Sequence, residues 1–88
     1  MQYFDWNEEK AESNFRKHGI RFADAARIFE HHVVEWTSPK SDEHRILALG
    51  RVNNQIIAVV YTWRGRKRWL ISARPAKRKE RRHYEQES

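Results

Sequence analysis

Arginine is the residue type with the most chemistry to offer in this chain, and most of it lies late in the sequence. From Tyr61 to Arg82 the run YTWRGRKRWLISARPAKRKERR holds ten Lys or Arg against a single acid, Glu80. Such density attracts polyanions, of which RNA and DNA are the commonest in a cell. A planar guanidinium can also hold two phosphoryl oxygens at once and stabilise charge that develops on them. Arg74 is the first candidate for that work, at the end of a predicted strand and the start of a predicted helix. Arg64, at a predicted turn, and Arg45, at the start of a neighbouring strand, are placed near it. His18 is the leading candidate for proton transfer, although a cationic residue at a helix C-terminus is equally well explained by the last carbonyls.

The elements that must position these residues are well punctuated. Tyr3, Phe4 and Trp6 read as a first strand. Asn7 fits a helix N-cap, Glu8 and Glu9 suit the first turn, and Gly19 fits a left-handed cap after Arg16, Lys17 and His18. The first helix is therefore predicted over Glu8 to His18, with Ala11 and Phe15 facing inward. A second is predicted from Phe22 to His31, with Phe22, Ala25, Ala26 and Phe29 on one face.

Val33 to Trp36 reads as strand and Ser38 to Asp42 as loop. Three further strands are predicted: His44 to Val52 with Gly50 at a bulge, Gln55 to Trp63, and Lys67 to Arg74. Asn53-Asn54 and Arg64-Gly65-Arg66 supply the turns. In the last strand, alternation groups Trp69, Ile71 and Ala73 on one face and Arg68, Leu70, Ser72 and Arg74 on the other. Pro75 is placed to open a final basic helix, Ala76 to Glu87, docked chiefly by Ala76 and Tyr84. The fold class is α+β, with a strand and two helices packed on an antiparallel sheet and a basic C-terminal helix after it.

Composition narrows the function. The net charge of +6 is asymmetric: residues 1–44 hold six Lys/Arg and nine Asp/Glu, whereas residues 45–88 hold twelve and three. The absence of cysteine excludes disulfides and thiolate metal sites and fits a reducing cytosol. No signal-peptide stretch or membrane span is evident, so a soluble cytoplasmic protein of one domain, residues 1–88, is expected. Adjacent His31 and His32 would point about 100° apart on a helix and are rejected as a metal site. His44 and His83 read as surface residues.

Two blocks of this sequence resemble the BrnT family of type II toxins. The first is Phe4-x-Trp6-Asn7-x-x-Lys10-Ala11-x-x-Asn14-x-x-Lys17-His18-Gly19-x-x-Phe22, with Ala25 and Phe29 after it. The second is Val59-Val60-Tyr61-Thr62-x-Arg64, then Ile71-Ser72-Ala73-Arg74-x-Ala76, Glu80-Arg81 and Tyr84. Asn7 stands where the family usually shows Asp, and His31-His32 replaces a loop that usually contains Asp-Pro.

The resemblance implies a compact RelE-like fold and an endoribonuclease that blocks translation without a cofactor. It also implies a BrnA-like ribbon-helix-helix antitoxin that neutralises the toxin and reaches promoter DNA itself. Such an enzyme must activate a ribose 2′-hydroxyl, stabilise a phosphorane and protonate the leaving 5′-oxygen, with no metal expected. Arg74, Arg64, His18 and Arg45 are the residues on which that catalysis would rest. Lys17, Arg66, Lys67, Arg68, Lys77 and Arg78 are the candidate RNA contacts, part of that surface being shared with the antitoxin. Trp63 and Trp69 could stack on unpaired bases, against sheet packing as the alternative, which is favoured for Trp69. The competing reading is a non-catalytic nucleic-acid-binding module, or an interaction subunit of a DNA-binding repressor complex.

Overall fold

The computed structural model describes residues 3–37 and 44–87, so the expected loop at Ser38 to Asp42 lies outside the described residues. The chain runs β1 (Tyr3–Trp6), α1 (Glu8–His18), α2 (Phe22–Ala25), a 3-10 turn (Ala26–Glu30), β2 (Val34–Thr37), β3 (Ile46–Val52), β4 (Gln55–Arg64), β5 (Lys67–Pro75) and α3 (Arg78–Glu87). The five strands form one sheet in the order β1-β5-β4-β3-β2. β2 to β5 are antiparallel neighbours, whereas β1 lies parallel to β5, with Trp6 opposite Leu70.

Local chemistry sets the ends of α1. The Asn7 side chain accepts from the Lys10 N–H at 3.0 Å, and Gly19 closes the helix at φ 72° with its N–H on the Phe15 carbonyl. Ala11 packs on the core as expected, but the buried residue of α1 is Asn14, not Phe15. Its carboxamide stands in for a missing strand. β1 stops pairing at Leu70, and beyond it Asn14 accepts from the Ala73 N–H at 3.1 Å and donates to the Ala73 and Ile20 carbonyls at 2.9 and 3.1 Å. Buried main-chain groups that would lack a partner are thereby satisfied.

α1, α2 and the 3-10 turn cover one face of the sheet, where Phe22, Ile28, Ile57, Val59, Tyr61 and Leu70 are almost wholly buried. The expected long second helix is a single α-helical turn that tightens at Ala26 and ends at Glu30. Gly50 carries no bulge, since it pairs in register with Ile57. Its role is close approach: a Cβ there would lie 2.5 Å from Ile28 Cβ.

The other face carries a smaller cluster of Leu49, Ile56, Ala58, Ala76 and Tyr84, by which α3 is docked. The Tyr84 hydroxyl donates to the His32 carbonyl at 3.0 Å. Pro75 ends β5 rather than opening the helix, which begins at Arg78. Both hairpin turns fall where expected. Asn53 and Asn54 sit at φ 49° and 65°, as a two-residue type I′ turn requires, and Gly65 takes φ 61° at the β4–β5 turn. No helix among the described residues is long and apolar enough to cross a membrane.

Candidate RNA-binding and catalytic face

β5 departs from simple alternation, and this reorders the candidate site. Opposite residues are Tyr61 with Leu70 and Val60 with Ser72, so Ile71 is an extra residue on β5. A bulge of this kind flips the side chains that follow it. Arg68 and Leu70 therefore share the helix-covered face with Ala73, while Trp69, Ser72 and Arg74 share the other. The expected grouping of Arg68 with Arg74 is corrected accordingly.

Arg74 and Arg64 do point to the same face, but not to the same end of it. Arg74 lies opposite Ala58 and Arg64 opposite Lys67. Six residues of strand separate Ala58 from Arg64, roughly 20 Å at the usual rise. An antiparallel hairpin places the last residue of one strand beside the first of the next, so the expected convergence does not occur. Arg45 immediately precedes β3, whose Ile46 lies opposite Tyr61, towards the Arg64 end. His18 ends α1, in the layer that covers the other face of the sheet, and is half-buried.

Arg74 meets Glu80 in a two-pronged ion pair, Nη1 to Oε1 at 2.8 Å and Nη2 to Oε2 at 3.0 Å. Glu80 Oε1 also accepts from the Lys77 N–H at 2.8 Å, the reach of a third-position carboxylate back to the cap of its own helix. The hydrogen bond from Arg74 is the main reason that the Glu80 carboxyl is held below its ordinary range, with the Lys77 N–H assisting and burial opposing. With Nη1 also on the Pro75 carbonyl at 3.3 Å, three of the five guanidinium donors are engaged and two remain.

Beside this pair, between β2 and α3, lies a cleft of about 520 Å³ lined by Val34, Glu35, Trp36, Lys79, Glu80 and His83. The His83 ring meets Trp36 edge-on, with centroids 5.7 Å apart. His83 is exposed, as expected of a surface residue, and it also borders this cleft. Its spacing of three from Glu80 puts both side chains on one helix face, a signal that was present in the sequence but indistinguishable from a solvated helix.

From the cleft the floor continues across half-exposed Val60, Ser72, Thr62 and Trp69. At its far end the Arg64 guanidinium stacks on Trp69, 4.1 Å from the ring centroid. Trp69 is thus partly covered, whereas Trp63 is 47% exposed.

The candidate RNA contacts divide by position. Arg66, Lys77 and Arg78 are exposed, as is Lys17 at the end of α1. Lys67 is exposed but pairs with Asp5 at 3.7 Å, a contact of little energetic weight at the surface. Arg68 is half-buried among aromatic rings. Its guanidinium carbon lies 4.2 Å from the Phe29 centroid, 4.6 Å from Trp63, 5.3 Å from Tyr61 and 5.8 Å from Phe4. In that cage the Tyr61 hydroxyl donates to Glu35. Burial, then the bond to Glu35, pushes the Tyr61 phenol up to about 12.

Comparison with known proteins agrees with this architecture. Residues 6–80 match the family model described as the ribonuclease toxin, BrnT, of type II toxin-antitoxin systems. The crystal structure of the Brucella abortus ribonuclease toxin BrnT superposes with a TM-score of 0.68 at 30% sequence identity, covering 89% of this chain and all of that one. No curated protein matches. The chain belongs to the BrnT family of ribonuclease toxins of type II toxin–antitoxin systems.

Proposed function

We propose that this toxin cleaves single-stranded RNA on the sheet face that α3 leaves open, by attack of a ribose 2′-hydroxyl and without a metal ion. The observation that carries the reading is the open face itself. It runs from Arg64 on Trp69 to the Arg74–Glu80 pair, with His83 and Lys79 beside the latter. RNA needs such an arrangement, with cations spaced along a floor and a proton carrier at one end.

In the reaction the O2′–P bond forms and the P–O5′ bond breaks, leaving a 2′,3′-cyclic phosphate and a 5′-hydroxyl. His83, in place of His18, carries the proton between O2′ and O5′. Arg74 and Lys79 stabilise the extra charge on the phosphoryl oxygens. Glu80 is held ionised too firmly to be an efficient base at neutral pH, so its work is to aim Arg74. Arg45 and Arg64 hold the strand at the far end.

Cleavage of cellular RNA would stop translation, and the partner antitoxin would neutralise it by covering this basic face. A ribbon-helix-helix antitoxin like BrnA, which also carries the pair to promoter DNA, is the partner that the family resemblance favours. Expressing the toxin alone should arrest growth and degrade RNA, and Arg74→Ala should restore both. Normal growth with intact RNA would defeat the proposal, and purified protein that retards RNA without cleaving it would favour the binding-module reading.

A further inference from the structure

Trp63 is the largest exposed side chain beside the β4–β5 turn, and it is held in place before any ligand arrives. Arg68 lies over its ring at 4.6 Å, and the Tyr61 ring meets it at 5.8 Å and 83°. Arg68 is in turn enclosed by Phe29, Tyr61 and Phe4. An exposed indole fixed by a caged cation loses little freedom when something stacks on it.

The backbone nearby adds a second feature. Among the described residues, β3 stops pairing with β4 at Ile46 opposite Tyr61, while β4 continues to Arg64 along β5. A groove of about 470 Å³ fills this step, lined by Thr37, His44, Ile46, Thr62, Trp63 and Arg64. Arg64 lines it, and Arg66 follows in the adjoining turn, both exposed. An aromatic wall, polar donors and a cationic rim are the requirements for holding an unpaired nucleobase by its face and its phosphate by charge.

We propose that Trp63 is the stacking platform of a base-binding subsite for single-stranded RNA, at the hairpin end of the sheet and just over its edge from the open face, on the side it shares with Arg68 and Tyr61. The inference rests on the ribonuclease reading only for the identity of the polymer. A strand lying on the open face would turn over the unpaired end of β4 and seat one base, distant from the cleaved bond, against Trp63. Duplex RNA cannot use such a site, because its bases are already stacked. The subsite therefore selects for single strands.

The test is binding of a labelled, fully 2′-O-methylated single-stranded RNA, which cannot undergo 2′-hydroxyl attack, to wild type, Trp63→Ala and Trp63→Phe. Trp63→Ala should weaken binding roughly ten- to hundredfold, as loss of one base stack does elsewhere, and Trp63→Phe should recover most of it. Binding of the matching duplex should change little. Equal single-strand binding by wild type and Trp63→Ala, both folded by circular dichroism, would overturn the inference. So would a Trp63→Ala defect confined to antitoxin binding. Cleavage of unmodified RNA is measured alongside. Trp63-dependent binding without any cleavage supports the subsite while defeating the nuclease reading, and cleavage indifferent to Trp63 does the reverse.

Discussion

Arg74 grips Glu80 with both terminal nitrogens, at 2.8 and 3.0 Å, across the junction where β5 gives way to α3. The pair ties the helix to the strand that carries the proposed site, with side chains only 24% and 16% exposed. Arg74→Ala should therefore cost stability as well as activity. A loss of about 1–3 kcal/mol is expected, because a half-buried carboxylate is left alone. A double-mutant cycle with Glu80→Gln, followed by urea denaturation, should show the two effects to be coupled; additivity would mean that the pair contributes nothing.

The same pair predicts an acid-side dependence. The carboxyl of Glu80 is depressed in the folded state, so its contribution is fully present above the ordinary carboxylate value of about 4.3. It is lost as the pH falls through the lower folded value. Wild type should lose stability more steeply in that window than Arg74→Ala does.

Tyr61 predicts the opposite limb. A phenol raised from 10.0 to about 12 favours folding in its neutral form. That contribution is whole below pH 10 and disappears as the pH rises towards 12. Ultraviolet titration of wild type minus Tyr61→Phe should isolate one tyrosine with a late transition. A difference spectrum centred on the ordinary tyrosine value would contradict the buried bond to Glu35.

Asn14 and Gly50 are the structural positions least tolerant of change. Asn14→Leu would leave the Ala73 N–H and two carbonyls without their partner, a loss of about 2–4 kcal/mol on the usual scale for buried polar groups. Gly50→Ala would set a Cβ 2.5 Å from Ile28 Cβ, for about 1–3 kcal/mol of overpacking. Ile28→Val should not rescue Gly50→Ala, since valine retains the clashing atom.

What was legible in the sequence was local. The caps of α1, the Asn-Asn turn and the docking role of Tyr84 depend on residues whose own chemistry sets the geometry. What was not legible depends on register. Nothing near Ile71 announces that it is the extra residue of β5, because the bulge exists only against Val60 and Tyr61. That single insertion moved Arg68 to the covered face and Trp69 to the open one. Asn14 was missed for a related reason. A polar residue on a helix reads as solvated until the strand edge that it completes is known.

The histidine assignment separates the proposed site from its sequence-based predecessor. His83→Ala should slow cleavage by about 10²- to 10⁴-fold, the usual share of acid–base catalysis, with stability unchanged. His18→Ala, across the sheet, should leave the rate near wild type. The reverse pattern would move the proton carrier back to α1.

Attack by the 2′-hydroxyl on the open face leaves a chemical signature in its products. Purified toxin is incubated in EDTA with a single-stranded RNA oligonucleotide, and the cleaved position is remade with one 2′-deoxyribose. Cleavage in EDTA to a 2′,3′-cyclic phosphate and a 5′-hydroxyl is expected. The deoxy substitution should abolish the cut, and Arg74→Ala should suppress it. Unchanged cutting at the deoxy position, or cleavage only when a divalent metal is restored, would contradict the metal-free 2′-hydroxyl route.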